Sequence, residues 1–355
     1  MKILFIPNWN VKRLDKDDSS LQAPDKYVDG QPYWFFRYFP KDTQVDIIDI
    51  GRKTWFRKIE KKIKFYIQQP IRAFRVRNNY DLVISHGAQS GLVYELLTSF
   101  VRHKPKHLMF DIGGLNGSRI NHYETPLIRF ALRCSPAIIV HSSRQLSLYR
   151  NHYPNLVAKS TFMPFGADFK YFDRGLEIHF NYRVVAFGYM KRDFATLCKA
   201  FDELNDEKYE LHIIGDTTLA NEYSHNSKIV VHKKMSIENL VHFILESAFV
   251  AIPLPEYLYS YGQMSFLQSM ALRKPMVVTD TTSSHDYVSG IPGVLTPKPY
   301  DVADMKRCLA EMMSKDKGEL MYMGLMNAEH VRNELSERVM GERIFHFVEK
   351  IMNED

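Results

Sequence analysis

In residues 259–278, YSYGQMSFLQSMALRKPMVV, a glycine precedes an apolar stretch that ends before a proline and a β-branched run. The pattern predicts a helix starting after Gly262, with Gln263, Met264 and Ser265 in its first turn. Unpaired backbone N–H groups and the positive end of the helix dipole make such a start an anion site, and glycine there lets a ligand approach the backbone. A phosphate fits that geometry. Gln268, about one and a half turns further in, can reach a polar group attached to the phosphate, such as a ribose hydroxyl. An ordinary glycine-initiated core helix has the same signature. In the first half, Asp111 in FDIGG and His86 in SHG each end an apolar run. Asp111 has the chemistry to bind a hydroxyl or accept its proton, and equally to close an Asp-x-Gly-Gly turn. His86 is a candidate acid–base group that is more often structural when isolated.

Such residues need strands that end where they stand. Apolar runs at 2–6, 44–50, 81–87, 107–114 and 137–143 read as strands, with helical patterns between them at 91–103 and 125–134. After a Pro- and Gly-containing linker at 162–172 the pattern restarts, with strands at 183–188, 209–215, 228–232, 249–253 and 275–279 and a helix at 236–248 that Ser236 caps. Strands alternating with helices predict an α/β fold of two doubly wound parallel-sheet domains facing a cleft, with ligands at the strand carboxyl ends. The expected division is 1–168, 169–335 and a terminal helix, 336–355, packing back on the first domain.

With 355 residues, 45% hydrophobic and 25% charged, the chain is long enough for two packed domains. Three scattered cysteines make neither a disulfide framework nor a zinc knuckle and fit a reducing cytoplasm. The start, MKILFIPNW, is too short for a signal-peptide core or a membrane span. The string Asp15-Lys16-Asp17 lies in a charged loop and is read as a chance match to a metal motif, so no metal is expected.

The 259–278 segment resembles a motif of retaining GT-B glycosyltransferases of glycosyltransferase family four (glycosyl transferases group 1). There a glycine-containing loop and the helix start hold the donor diphosphate, and two glutamates separated by seven residues contact sugar and ribose. The resemblance places Gln268, in QSMA, at the second glutamate and Ser260, in SYGQMS, at the first, with Tyr261 and Gly262 completing the donor-sugar stretch. Glutamine can serve ribose hydroxyls without charge. PFGADFKYF (164–172) looks like the linker signature before the donor domain, and VVAFGYMKRDFATLCKAF (184–201) resembles its first strand-loop-helix. This implies that Lys191 and Arg192, following Gly188, bind the diphosphate and offset leaving-group charge. Phe110-Asp111 replaces the His-Asp pair of the acceptor-side domain. The family's front-face mechanism, in which the leaving diphosphate helps remove the acceptor proton, needs no protein nucleophile and no metal. The implied function is transfer of a sugar from a UDP- or GDP-sugar to a glycolipid or growing surface polysaccharide. The alternative is a non-catalytic nucleotide-sugar or glycan-binding relative, since both glutamates are replaced.

From Arg52 to Arg77 the chain has ten Lys/Arg against one acid, Glu60, leaving the remainder slightly acidic. The stretch 52–67 places Phe56, Ile59 and Ile63 on one helical face, flanked by Trp55, Arg57, Lys58, Lys61 and Lys62. Such a helix can lie in an anionic membrane interface and bring a lipid-linked acceptor to the first domain, at the cytoplasmic face of the plasma membrane. A surface helix with its apolar face on the domain core is the competing view. Nucleic acid is not an expected partner, for no zinc spacing or ribonucleoprotein motif accompanies the charge.

Overall fold

The computed structural model describes residues 1–51, 56–63, 65–115, 124–134, 136–173, 175–215 and 218–353. The chain divides into two compact units. Unit 1 comprises Met1–Pro164, Leu258–Ser260 and Met340–Asp355, and unit 2 comprises Phe165–Tyr257 and Tyr261–Val339.

Unit 1 is built on β1 (Lys2–Pro7), β4 (Gln44–Ile47), β5 (Leu82–His86), β6 (Lys106–Asp111), β7 (Ala137–Val140) and β8 (Ser160–Phe162); β2 (Lys12–Leu14) and β3 (Lys26–Val28) pair separately. The six strands are all parallel, in the order β4-β1-β5-β6-β7-β8. Ile3, Leu4, Phe5 and Ile6 are all fully buried, which is why β1 is continuously apolar where a one-sided strand alternates. The Glu337–Asn353 helix buries Ile344 and Val348, and the Phe345 ring lies 5.1 Å from Phe39.

Unit 2 repeats the plan with β9 (Arg183–Phe187), β10 (Glu210–Ile214), β11 (Ile229–His232), β12 (Phe249–Ile252), β13 (Met276–Val278) and β14 (Val294–Leu295), parallel in the order β11-β10-β9-β12-β13-β14. One face packs against Leu240 and Ile244 of the Ile237–Leu245 helix and Phe266 and Met270 of the Gln263–Ala271 helix. The other packs against Leu197 and Phe201 of the Phe194–Asp202 helix and Met305 and Leu309 of the Val302–Met313 helix. The Ser236 hydroxyl caps the first of these helices by accepting from Asn239 N at 3.2 Å.

The expected pair of doubly wound sheets is present. Each reverses strand order once, at β1 between β4 and β5 and at β9 between β10 and β12. Strand carboxyl ends at such a reversal leave a crevice, because successive connections depart to opposite sides. The helix expected at 91–103 runs instead over Ala88–Thr98. It begins directly after Gly87, at φ 120°, and ends before a turn in which Val101 N bonds to Thr98 O.

Candidate functional site

In unit 2 the connections leaving β9 and β12 flank the reversal point. Gly188 follows β9 at φ 148°, and a Cβ there would collide with the Arg192 side chain, so glycine lets the guanidinium fold back against the strand end. Arg192 donates from Nε to Phe187 O and from Nη1 to the Met190 and Lys191 carbonyls, each at 3.1 Å, and from Nη2 to Ser265 Oγ at 2.7 Å. Burial pushes its pKa down to about 10, which leaves it cationic at neutral pH. Lys191, in the left-handed region at φ 54°, holds Nζ 5.0 Å from the Tyr257 ring centroid and 5.5 Å from that of Tyr261.

Across from this loop the Gln263–Ala271 helix starts at Gly262, which is left-handed at φ 79° and provides no side-chain cap. A Cβ on Gly262 would lie 3.7 Å from Arg192 Nη1, so the guanidinium stands beside the helix start. Two positive features held this close favour an anion between them. Gln263, Ser265 and Gln268 are buried, Met264 is half-buried, and Gln263 Nε2 donates to Ser283 O at 3.3 Å. The predicted Gly188, Lys191, Arg192, Tyr261, Gly262, Gln263, Met264, Ser265 and Gln268 therefore stand on two loops and one helix at a single strand-order reversal. Ser260, also buried, belongs to the short segment Leu258–Ser260 that clusters with unit 1. Sequence reasoning missed Tyr257, whose ring faces Lys191, and Glu256, whose carboxylate accepts from Thr282 N at 3.0 and 3.2 Å. The density of tyrosines in PEYLYSYG was the available signal for the first.

Unit 1 has its own reversal point, where the connections leaving β1 and β5 meet. His86, the last residue of β5, is buried with its ring centroid 4.8 Å from Trp9, 5.2 Å from Phe110 and 5.6 Å from Trp34. Neither ring nitrogen has a hydrogen-bond partner among the described residues. Burial, reinforced by neighbouring His141, pushes its pKa down to about 3. At neutral pH this leaves His86 a neutral imidazole in an aromatic box.

Asp111, the last residue of β6, is held by five hydrogen bonds on its carboxylate. Its Oδ1 accepts from the backbone N–H of Gly113 at 3.0 Å, Gly114 at 2.6 Å and Leu115 at 3.3 Å. Its Oδ2 accepts from Gln145 Nε2 at 3.0 Å and the Tyr149 hydroxyl at 2.6 Å. The carboxylate is fully buried, and burial raises its pKa against the pull of these bonds. The geometry is that of the turn alternative, with Asp111 tying the loop after β6 to the Ser143–His152 helix.

Among the described residues no group of His, Cys, Asp and Glu side chains is arranged to hold a metal ion, and Asp17 instead pairs with Lys26 at 2.6 Å. The basic stretch forms the Phe56–Ile63 helix, while Trp55 lies outside the described residues. Lys58, Lys61 and Lys62 are exposed and Arg57 is half-buried. Ile59 and Ile63 are 41% and 43% exposed. Glu60, the one acid of the run, turns inward and caps the next helix by accepting from Ile67 N at 2.7 Å and Gln68 N at 3.0 Å. No helix among the described residues is long and apolar enough to cross a membrane.

Residues 181–315 match the family described as Glycosyl transferases group 1. No curated protein sequence matches the chain at a significant level. Among solved structures, a glycosyltransferase from Rickettsia africae is similar at TM-score 0.70 and 12% identity, covering 100% of this chain and 99% of its own. HepE of Anabaena in complex with UDP is similar at TM-score 0.66 and 10% identity, covering 99% and 100%. The lipopolysaccharide outer core galactosyltransferase WaaB is similar at TM-score 0.64 and 12% identity, covering 99% of both chains. The paired parallel sheets thus share the GT-B fold of these structures, and unit 2 carries the segment that matches the group 1 glycosyl transferases, across the cationic loop and the Gly262 helix.

Proposed function

We propose that the protein is a glycosyltransferase that moves a sugar from a nucleotide-sugar, with retention of anomeric configuration and without a metal ion, to a lipid-linked saccharide or growing surface polysaccharide. The observation that carries the reading is the 2.7 Å bond from Arg192 Nη2 to Ser265 Oγ, which holds a guanidinium against an uncapped helix start. In transfer, the bond between the anomeric carbon and the diphosphate oxygen breaks as the acceptor oxygen bonds to that carbon. Negative charge grows on the diphosphate, where Arg192, Lys191 and the helix N–H groups stabilise it. The departing oxygen takes the acceptor proton, in keeping with His86 held neutral and Asp111 committed to its loop. Gln268 serves the ribose and Ser260 the sugar. Of the expected UDP- and GDP-sugar donors, the HepE structures with UDP and with UDP-glucose support the first.

The acceptor side is read from the Phe56–Ile63 helix. Exposed isoleucines amid exposed lysines suit an anionic bilayer surface at its cytoplasmic face, where a lipid-linked acceptor is presented. The test is transfer from an α-configured UDP- or GDP-sugar to a glycolipid extract, with and without EDTA, and the product anomer read by NMR. An α-linked product insensitive to EDTA is expected, and a β-linked or EDTA-abolished product contradicts the mechanism. Donor binding with no turnover on any acceptor supports the binding-protein reading that the replaced glutamates raise.

A further inference from the structure

Unit 1 carries a second apolar surface that neither the donor site nor the basic helix uses. Phe100, in the turn after the Ala88–Thr98 helix, is 73% exposed, and Leu127 and Phe130 on the Glu124–Ala131 helix are 57% and 36% exposed. The Phe100 and Phe130 ring centroids lie 5.9 Å apart. The Arg133 guanidinium carbon sits 4.3 Å from the Phe130 centroid, and its Nη2 donates to Ser99 O at 3.1 Å, which fixes the turn beside the helix end. These three side chains therefore form one organised surface.

Its surroundings are mainly basic. Residues 99–134 contain six Lys/Arg against two acids, and of those acids Asp111 is fully buried. Arg102, Lys106, Arg129 and Arg133 are exposed. Aromatic and aliphatic side chains inside a collar of arginine and lysine match the boundary between headgroups and acyl chains, with rings entering the acyl region and cations meeting lipid phosphates. Phe65, just after the basic helix, packs on the same core cluster as Ile128 and Leu132, so one core underlies the elements from which both surfaces extend. By contrast Met321, Tyr322 and Leu325, exposed on the Lys317–Glu334 helix of unit 2, share their helix with Glu319, Glu329 and Glu334 as well as Lys317 and Arg332.

We propose that Phe100, Leu127 and Phe130 are a second lipid-contacting surface that inserts into an anionic bilayer, in addition to the basic helix. It rests on the membrane reading above and adds an apolar anchor to an electrostatic one. The two differ in salt response, because screening weakens lysine–headgroup attraction and leaves apolar insertion largely intact.

The experiment is flotation of the full chain with phosphatidylglycerol/phosphatidylcholine vesicles at low and high salt. It compares the wild type with Phe100→Ser/Leu127→Ser and with Lys58→Gln/Lys61→Gln/Lys62→Gln, in parallel with an environment-sensitive fluorophore on Phe100→Cys and on Tyr322→Cys. The expected result is partitioning about tenfold weaker at both salts for the first variant and weaker mainly at low salt for the lysine variant. The fluorophore at position 100 shifts to the blue with vesicles and that at 322 does not. Unchanged partitioning of Phe100→Ser/Leu127→Ser, with no blue shift at position 100, overturns this surface and leaves the basic helix standing if its own variant loses binding. A wild type that does not float overturns both. Equal displacement of all variants by duplex DNA, without a blue shift, assigns the charge to a polyanion and overturns the proposal.

Discussion

The strand-order reversal of the second sheet and that of the first are the same opening in the same kind of fold, furnished in opposite ways. At the first of these, Arg192 bridges two connections, Lys191 stands over two tyrosines, and the Gly262 helix start is uncapped. At the other, Trp9, Trp34 and Phe110 enclose an imidazole whose nitrogens meet no partner among the described residues. A cationic crevice stabilises charge that appears during a reaction. An aromatic box keeps a polar group neutral by withholding water. The architecture sets where a ligand can sit, and a handful of side chains set which chemistry it meets.

Arg192→Ala breaks the cationic side most severely, because it removes the charge and the bond to Ser265 together. Transfer is expected to fall about 10²–10³-fold, as for loss of one preorganised donor in an active site, and Arg192→Lys is expected to recover only part, since a point charge lacks the fork that spans both loops. Initial rates at saturating and limiting donor separate lost binding from lost transition-state stabilisation.

The aromatic box is probed by acid. The folded pKa of His86, about 3, lies below its ordinary value, so between about pH 6.5 and pH 3 the unfolded chain holds the extra proton. Its stability contribution is complete above pH 6.5 and is lost as pH falls through that window, by about 2 kcal/mol at pH 5. His86→Phe is expected to remove that loss and flatten the acid limb of the urea-unfolding midpoint against pH. An unchanged acid limb places the sensitivity elsewhere.

The smallest effect sharpens the helix start. Gly262→Ala puts a Cβ at φ 79°, 3.0 Å from Leu254 Cδ2, at a cost of about 1–2 kcal/mol for the left-handed backbone. Urea unfolding is expected to show that loss together with weaker donor binding. Stability lost with donor affinity intact detaches the helix start from the phosphate.

Much of this layout was legible in the sequence, and the gaps have physical causes. Apolar runs ending in glycine or small polar residues announced ten strands of the two main sheets. The edge strands Ser160–Phe162 and Val294–Leu295 were not seen, because the first opens on two polar residues and the second is only two residues long, so neither makes an apolar run. The Gly262 helix start was readable because its signal is local. The tyrosine platform under Lys191 was not, since Tyr257 lies far along the chain and cation–π contact is not a property of spacing. Asp-x-Gly-Gly left two readings of Asp111 open, and the five partners of its carboxylate, two of them on a helix more than thirty residues away, were not readable from the motif. Likewise the basic stretch showed an apolar stripe without saying what covers it, because exposure is set by tertiary neighbours and not by spacing, and Ile59 and Ile63 are partly exposed.

The central claim is that Arg192 and the Gly262 helix bind the diphosphate of a nucleotide-sugar. Thermal unfolding of the wild type and Arg192→Ala against UDP-, GDP-, dTDP- and CMP-sugars tests it most directly, because a ligand that binds the folded state raises the midpoint. The account predicts a rise with one nucleotide class in the wild type that largely disappears in Arg192→Ala. A midpoint that no nucleotide-sugar moves, or a rise that Arg192→Ala retains in full, contradicts it.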